Sequence, residues 1–265
     1  MITWILQIII KLMVEIDKIY NEDCLATIGK MDNDFLDLTI TSVPYNVDLG
    51  NNKFNKNLYD LYNDNKKHWE YISWLKEVFA KIYEKTKSGA RCIINVGDGK
   101  NGAIPSHSDI IQFMKGISWI PMTTIIWDKG NVSSRTAWGS FMSPSSPSFP
   151  TPFEYILVFA KNDKKLQNTG ETDLTKEEFI EWSLAKWSFP GENLKKIGHP
   201  AAYPIELPKR CIKMFSWIGA TVYDPFSGSG TTAFACKALN RHYIGSEISE
   251  QYCLLAKNRL EGVLF

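Results

Sequence analysis

A glycine-rich segment close to the C-terminus constrains the fold of this 265-residue chain more than any other feature. It reads Ala220-Thr-Val-Tyr-Asp-Pro-Phe-Ser-Gly-Ser-Gly-Thr-Thr-Ala233, which is an apolar run, a turn with two glycines and the start of a helical pattern. Gly228 and Gly230 permit a tight turn and the close approach of a ligand, and the small Ala233 permits close packing of helix on strand. The segment therefore predicts a strand, a ligand-binding loop and a helix.

Two acidic residues indicate which ligand this loop binds. Glu247 lies 17 residues after Gly230, at the end of the next predicted strand, where a carboxylate can accept hydrogen bonds from both hydroxyls of a ribose. Asp224 stands directly before the loop, where it would repel a pyrophosphate but suits a cationic group. The loop also lacks the lysine of a nucleoside-triphosphate loop. A ribose, no phosphate and a positive charge describe S-adenosylmethionine (SAM), and Asp224 makes a dinucleotide the weaker alternative.

The position of the loop predicts how the sheet is assembled. Only 35 residues follow Gly230, so strands from the N-terminal part of the chain must complete the sheet and the site draws on both ends of the chain. Seven short β-like runs can be read, and most of them are dense in apolar residues rather than alternating, which is typical of strands buried on both faces of a parallel sheet. These runs are Lys18–Asn21, Leu38–Ser42, Arg91–Val96, Thr123–Trp127, Glu154–Phe159, Ala220–Tyr223 and His242–Ser246.

Helical patterns alternate with these runs. They extend from Trp69 to Ile82 with Ser88-Gly89 as the stop, from Leu207 to Ile218, from Thr231 to Leu239 and from Ser249 to Leu260. The alternation predicts an α/β fold that is doubly wound, with a mostly parallel seven-stranded sheet.

Composition and charge narrow the remaining possibilities. Lys and Arg number 30 against 29 Asp and Glu, so any surface that attracts a polyanion must be local, as around Lys81, Lys85, Lys87 and Arg91. Five scattered cysteines without CxxC spacing predict reduced thiols in the cytoplasm, with neither a disulfide framework nor a metal site. The apolar start, Met1–Val14, is too short to span a bilayer and lacks the basic region of a signal peptide.

A second motif follows the Leu38–Ser42 run. Ser42-Val43-Pro44-Tyr45 forms a turn at the carboxyl edge of the predicted sheet, where open α/β sheets bind ligands. The Ser42 hydroxyl and a backbone carbonyl can accept hydrogen bonds from an exocyclic amine and leave the nitrogen lone pair directed at a methyl donor. The Tyr45 ring can stack on a base that has been extracted from the duplex. The tetrapeptide alone is equally compatible with an ordinary strand end followed by a proline turn.

Together the two motifs resemble those of the DNA amino-methyltransferases, specifically the permuted β group, in which the catalytic motif precedes the cofactor loop. The resemblance extends from about Asp17 to Leu260. The family tetrapeptide, Ser/Asp/Asn-Pro-Pro-aromatic, is matched by Ser42, Pro44 and Tyr45, whereas Val43 replaces the first proline. The cofactor loop matches the family at Asp224, Pro225, Phe226, Ser227, Gly228, Ser229, Gly230, Thr231 and Thr232, and Glu247 takes the ribose-binding position.

Two shorter segments extend the resemblance. Asn21-Glu-Asp23-Cys24-Leu is similar to the family segment that contacts the adenine of the cofactor, which implicates Asp23 and Cys24. His199-Pro-Ala-Ala-Tyr-Pro204 is similar to the His-Pro-Ala-x-Phe-Pro motif at the methionine end of the cofactor pocket, which implicates His199 and Pro204.

The resemblance implies a SAM-dependent methyltransferase of a bacterial restriction–modification system that acts without a metal on a flipped-out base of double-stranded DNA. Within the family, Ser42 favours N4 of cytosine over N6 of adenine, which remains an alternative. Val43 leaves open a catalytically weak subunit that binds SAM and DNA, because valine lacks the fixed φ of proline. We therefore expect reduced transfer and a gain of turnover in Val43→Pro. A cognate endonuclease and a homodimer are the expected protein partners.

The composition and the resemblance together divide the chain into four predicted parts. An apolar extension covers residues 1–16, a catalytic half 17–162, a target-recognition insertion 163–198 outside the sheet, and a SAM-binding half 199–265. The insertion contains a helical pattern at Lys176–Trp187. The long Ser133–Pro152 loop offers Arg135 to phosphates and Trp138 for stacking.

Overall fold

The computed structural model describes residues 13–44, 46, 66–130, 139–140, 142–147, 149, 151–192 and 203–262. Within these ranges the strands are β1 Lys18–Asn21, β2 Leu36–Ser42, β3 Thr86–Val96, β4 Trp119–Asp128, β5 Phe153–Lys161, β6 Lys186–Ser188, β7 Thr221–Asp224 and β8 His242–Glu247. The helices are α1 Cys24–Ile28, α2 His68–Lys85, α3 Ser106–Ile117, α4 Lys176–Trp182, α5 Glu206–Phe215, α6 Thr231–Ala238 and α7 Glu250–Leu260. No helix in the described ranges is both long and apolar enough to cross a membrane.

All eight strands join one sheet in the order β1-β8-β7-β2-β3-β5-β4-β6. Neighbouring strands are parallel except for the β3–β5 and β4–β5 pairs, which are antiparallel. The doubly wound, mostly parallel fold predicted from the sequence is confirmed, and each of the seven predicted strands is present.

The eighth strand corrects the prediction that segment 163–198 lies outside the sheet. β6 belongs to this segment and pairs in parallel with the end of β4, where Lys186 is opposite Ile126. Trp187 anchors the strand, since its side chain is buried and its Nε1–H donates to the carbonyl of Trp182 at 2.9 Å. The predicted helix therefore ends at Trp182 and does not extend to Trp187. The sequence did not predict this strand because three residues are too few to show a strand period.

The two ends of the chain meet inside the sheet, as predicted. β1 pairs with β8, and β2 pairs with β7 through Leu38 opposite Val222. Because these pairs are parallel, the carboxyl ends of β2 and β7 stand side by side at one edge. The residues that follow the two strands are therefore neighbours in space although they are far apart in sequence.

Apolar layers cover both faces of the sheet, which explains the dense rather than alternating strands. On one face, Leu75 and Phe79 of α2 pack with Met114 of α3. On the other face, Leu207 and Cys211 of α5 form the second layer. The first predicted helix stop is wrong: α2 ends at Lys85, and Ser88-Gly89 lies within β3. The Thr86 hydroxyl ends the helix by donating to the carbonyl of Ile82 at 2.7 Å.

In the basic cluster on α2 and β3, three of the four charges are paired or buried, so the cluster offers less free positive charge than its sequence indicates. Lys87 pairs with Asp37 at 2.7 Å, Lys81 pairs with Glu84 at 3.1 Å, and the Arg91 side chain is buried. Lys81 lies on α2, whereas Lys87 lies at the amino end of β3, away from the carboxyl ends of β2 and β7.

Candidate active site

The sheet brings the glycine loop and the Ser42 turn together at the carboxyl edge. Asp224 ends β7, and Ser42 ends the adjacent strand β2. A hydrogen bond joins the two motifs directly, because the Thr41 hydroxyl donates to Asp224 Oδ1 at 2.7 Å. The candidate catalytic turn and the candidate cofactor loop therefore share one wall.

Asp224 is buried at the centre of a network of hydroxyl groups. Its Oδ1 also accepts from the backbone N–H of Phe226 at 3.1 Å. Its Oδ2 lies 2.7 Å from the hydroxyl of Thr232 and 3.1 Å from that of Tyr203, and these two hydroxyls also contact each other. Because each hydroxyl has a single proton, the two hydroxyls share two protons among these three contacts when Asp224 is ionised. Burial raises the pKa of the Asp224 carboxyl, while the four donors lower it. The structure thus shows Asp224 fixing the loop, and direct contact with the cationic part of a cofactor stays a prediction.

The glycines of the loop are required by both its conformation and its packing. Gly228 has φ 50° and Gly230 has φ 76°, in the left-handed region that L side chains rarely adopt. A Cβ added at Gly230 would lie 2.8 Å from the Cβ of Ala256 on α7. The loop can therefore lie close against the last helix only with glycine at this position.

Arg259 on α7 stabilises the loop through hydrogen bonds, a role that was not predicted from the sequence. Its Nη1 donates to the Ser229 carbonyl at 2.6 Å and to the hydroxyls of Ser229 at 3.0 Å and Thr231 at 3.3 Å. Burial lowers the pKa of Arg259. A single arginine in a C-terminal helix has no sequence pattern that would assign it this role.

Glu247 faces the same loop from the end of β8. Its Oε2 accepts from the backbone N–H of Gly228 at 2.8 Å, and its Oε1 accepts from that of Ser249 at 2.9 Å. A carboxylate oxygen accepts more than one hydrogen bond, so both oxygens can still take a ribose hydroxyl. Burial raises the pKa of the Glu247 carboxyl.

The raised pKa of Glu247 predicts a pH-dependent affinity for SAM. The ionised carboxylate accepts both ribose hydroxyls, and protonation removes acceptor capacity, so affinity falls as pH decreases through the raised pKa. The loss should begin at a higher pH than for an ordinary glutamate, whose pKa is 4.5. Isothermal calorimetry between neutral and mildly acidic pH measures this dependence. Glu247→Gln, which does not titrate, is the control because the ligand titrates equally in both proteins; parallel pH profiles would contradict the prediction.

The predicted adenine-binding segment lies beside Glu247. Asn21 Nδ2 donates to the carbonyls of Glu247 and Ile248, both at 3.0 Å, which holds the end of β1 against the end of β8. Asp23 is exposed and caps α1 by accepting from the backbone N–H of Leu25 at 2.8 Å. The Cys24 thiol is buried, and burial raises its pKa to about 12, so this residue presents only its backbone to a ligand.

The residues around the loop fit the predicted cofactor. Glu247, which can accept the ribose hydroxyls, lies against the glycine turn at Gly228. The buried Ser227 hydroxyl in the same loop has no hydrogen-bond partner among the described residues and is available to a ligand. Pro204 and Pro225 are buried beside the Asp224 network, and the half-buried ring of Phe226 lies 5.3 Å from that of Trp74. This contact packs Trp74 of α2 against the loop.

The catalytic turn is described as far as Pro44. Ser42 and Pro44 are half-buried, and Val43 is 1% exposed. Four predicted site residues, Tyr45, Arg135, Trp138 and His199, belong to the ranges that the structure does not describe, as do residues 1–12 of the N-terminal extension. Their predicted roles stay predictions.

An aromatic group without a predicted role lies at the same edge of the sheet. The His107 ring stacks on Tyr155 at a centroid distance of 3.9 Å, and Phe153 meets Tyr155 edge-on at 5.5 Å. Asp98 orients His107 through Nδ1 at 2.8 Å. Tyr155 is opposite Val96 in the β3–β5 pair, which places this group one residue beyond Asn95.

The fold, the loop and its acid define an α/β domain that binds a nucleoside cofactor beside a small polar turn. A family model described as DNA methylase, for N6 and N4 methyltransferases, matches residues 36–258. The type II methyltransferase M.MjaVI of Methanocaldococcus jannaschii is 38% identical over 194 residues, which cover 72% of this chain and 95% of that protein. The chain therefore belongs to the N6/N4 DNA methylase family.

Solved structures agree with this assignment. A putative DNA modification methylase of Thermus thermophilus, complexed with S-adenosyl-L-methionine, superposes with a TM-score of 0.73 at 25% identity, over 93% of this chain and 94% of that one. PvuII DNA methyltransferase, which is cytosine-N4-specific, has the same fold with a TM-score of 0.67 at 17% identity, over 93% of this chain and 87% of that one. The predicted cofactor is confirmed as SAM, and the chain is a SAM-dependent DNA amino-methyltransferase.

Proposed function

We propose that this enzyme transfers the methyl group of SAM to N4 of a flipped-out cytosine in double-stranded DNA. The observation that carries the proposal is Ser42 at the first position of the tetrapeptide, next to the cofactor loop through the bond between Thr41 and Asp224. In the resembling family a serine here favours cytosine. N6 of adenine is the alternative, because the two exocyclic amines need nearly the same geometry.

The residues of the turn act by positioning the amine. Bound SAM supplies an electrophilic methyl group carried on a sulfonium. The Ser42 hydroxyl oxygen and the Val43 carbonyl each accept one N–H of the target amine, so the lone pair of the nitrogen is held away from the base ring and directed at the methyl group. Asp224, Arg259 and the loop glycines hold the cofactor side of the pocket rigid.

The proposed cofactor contacts are those that the family resemblance implies. Glu247 accepts the ribose hydroxyls, Asp23 and the Cys24 backbone contact the adenine, and the loop from Asp224 to Thr232 encloses the methionine part together with Pro204. His199 completes this end in the proposal. Tyr45 stacks on the extracted base.

Recognition of the target sequence is proposed for the irregular segments. Arg135 and Trp138 would contact phosphate and base, and segment 163–198 would act as the target-recognition insertion. Its helix α4 contributes no net positive charge, because its sequence KEEFIEW has one lysine and three glutamates. Glu178 and Glu181 also pair with Lys213 and Arg210 of α5. Recognition by this segment would therefore depend on shape and polar contacts. A cognate endonuclease, a homodimer and a cytoplasmic location complete the proposal.

The test is a transfer assay with tritiated SAM on unmethylated genomic DNA of mixed composition, followed by mass spectrometry of the nucleosides. N4-methylcytosine is the expected product, and Ser42→Ala is the matched control for background incorporation. N6-methyladenine would overturn the choice of base and keep the enzyme class. SAM binding without incorporation into any DNA would instead favour a subunit that binds SAM and DNA without turnover.

A further inference from the structure

Asn95 contacts two consecutive residues of the candidate catalytic turn. It is the register partner of Ser42 across the β2–β3 pair. Its backbone carbonyl accepts from the N–H of Val43 at 3.3 Å, and its side-chain Nδ2 lies 3.4 Å from the Ser42 hydroxyl oxygen. At 1% exposure the Asn95 side chain is buried, so it acts on this turn without reaching bulk solvent.

Glu154 determines which end of the Asn95 amide faces Ser42. Nδ2 of Asn95 also donates to Glu154 Oε2 at 2.7 Å, and the other oxygen of Glu154 binds Lys129. An ionised carboxylate only accepts hydrogen bonds, so it binds the amide through its NH2 group. The Asn95 carbonyl oxygen, Oδ1, consequently has no hydrogen-bond partner within the part of the chain that the structure describes.

This orientation has a consequence for the chemistry of Ser42. The NH2 group donates to the serine oxygen, so the serine proton points elsewhere and a second lone pair stays available to accept from an incoming amine. A reversed amide would accept the serine proton and turn the hydroxyl away from that task. The Glu154 carboxylate, itself paired with Lys129, thereby keeps Ser42 an acceptor.

Asn95 also accounts for the valine in the tetrapeptide. A proline at position 43 would have no N–H and could not bind the Asn95 carbonyl. Val43 thus fixes the turn through a hydrogen bond where the family proline fixes it through its ring. This bond changes the expectation stated from the sequence, because Val43→Pro would restrict φ but lose the contact with β3.

We propose that Asn95, oriented by Glu154, is a positioning residue for methyl transfer that holds both acceptors of the target amine, the Ser42 hydroxyl and the Val43 carbonyl. The inference rests on the proposed function, since it assigns the roles of acceptor to these two groups. Two independent contacts from one buried side chain and its backbone carry it, and neither involves the cofactor loop.

Asn95→Ala should lower kcat roughly 10- to 100-fold, the effect of losing one or two hydrogen bonds. The dissociation constant for SAM should stay within about twofold of wild type. Val43→Pro should show no gain in kcat. The matched control is Thr39→Val. The Thr39 hydroxyl on β2 is buried and has no hydrogen-bond partner among the described residues, so its removal should keep the wild-type kcat. The thermal midpoint of each variant verifies folding.

Asn95→Asp separates positioning from simple packing. The new carboxyl would face Glu154, and two ionised carboxylates repel each other and cannot donate a hydrogen bond. The pair must therefore take up one proton before the side chain at position 95 can donate to Ser42. The ratio of variant to wild-type kcat should therefore rise as pH decreases. A residue that only fills space would give a flat ratio.

The outcomes distinguish the inference from the function on which it rests. If the wild-type enzyme transfers no methyl group to any DNA, the proposed function fails and the inference fails with it. If wild type is active and Asn95→Ala has an unchanged kcat, the inference alone is overturned. It is also overturned if SAM affinity falls as much as kcat and the Asn95→Asp ratio does not change with pH.

Discussion

Ser42→Ala is expected to lower kcat for methyl transfer by roughly 100- to 1,000-fold, the usual cost of removing one preorganised polar group from an active site. The dissociation constant for SAM should stay within about twofold, because Thr41 rather than Ser42 makes the hydrogen bond to the cofactor loop at Asp224. Single-turnover transfer on saturating DNA measures the chemical step, and calorimetry measures SAM binding in the same preparation.

Ser42→Asp is the matched control for this loss. Aspartate is one of the family residues at this position and supplies an acceptor oxygen, so it should restore most of the turnover that alanine removes. Alanine and aspartate variants with equally low kcat would show that position 42 contributes something other than an acceptor. A proportional weakening of SAM binding in both variants would show that the defect originates in the loop.

The fold was accessible from the sequence because its signals are local. Dense apolar runs predict buried strands, although β5 is antiparallel to both of its neighbours. The late position of the Asp224–Thr232 loop requires that N-terminal strands complete the sheet. β6 was not predicted because three residues cannot show a strand period. Trp187 anchors this strand through its hydrogen bond to the Trp182 carbonyl, and no sequence pattern indicates that contact.

The site was predictable only where its residues are contiguous. The loop and the tetrapeptide are each formed by consecutive residues, so each can be recognised as a sequence motif. Asp224 and Thr41 are 183 positions apart, and the pairing of β2 with β7 brings them together. Asn95 gives no signal, since an asparagine at the end of an apolar run is equally compatible with a turn. Arg259 was missed for the same reason, because its partners lie about 30 residues earlier in the chain.

Asp224→Ala is expected to have the second large effect, on both stability and SAM binding. It removes the acceptor of the Thr41 hydroxyl, of the Phe226 N–H and of one of the hydroxyls of Tyr203 and Thr232, which can still bind each other. Each unsatisfied group costs about 1–3 kcal/mol, so even partial relaxation leaves a loss of about 3 kcal/mol or more in the free energy of unfolding. The dissociation constant for SAM should rise at least about tenfold, because the loop loses its fixed geometry.

Asp224→Asn keeps one acceptor and the size of the side chain, so its loss should be smaller, and its pH dependence tests the buried carboxyl. Burial raises the pKa of Asp224 above 3.8 in the folded protein, so the folded state holds the proton more readily than the unfolded state. Between 3.8 and the raised pKa, wild type should therefore gain stability relative to Asp224→Asn as pH falls, with no further change below that window or above it. Urea unfolding of both proteins across this range measures the difference. A wild-type advantage that shrinks on acidification would contradict the prediction. It would mean that the hydrogen-bond donors lower the pKa of Asp224 by more than burial raises it, so that the folded protein keeps this carboxyl ionised.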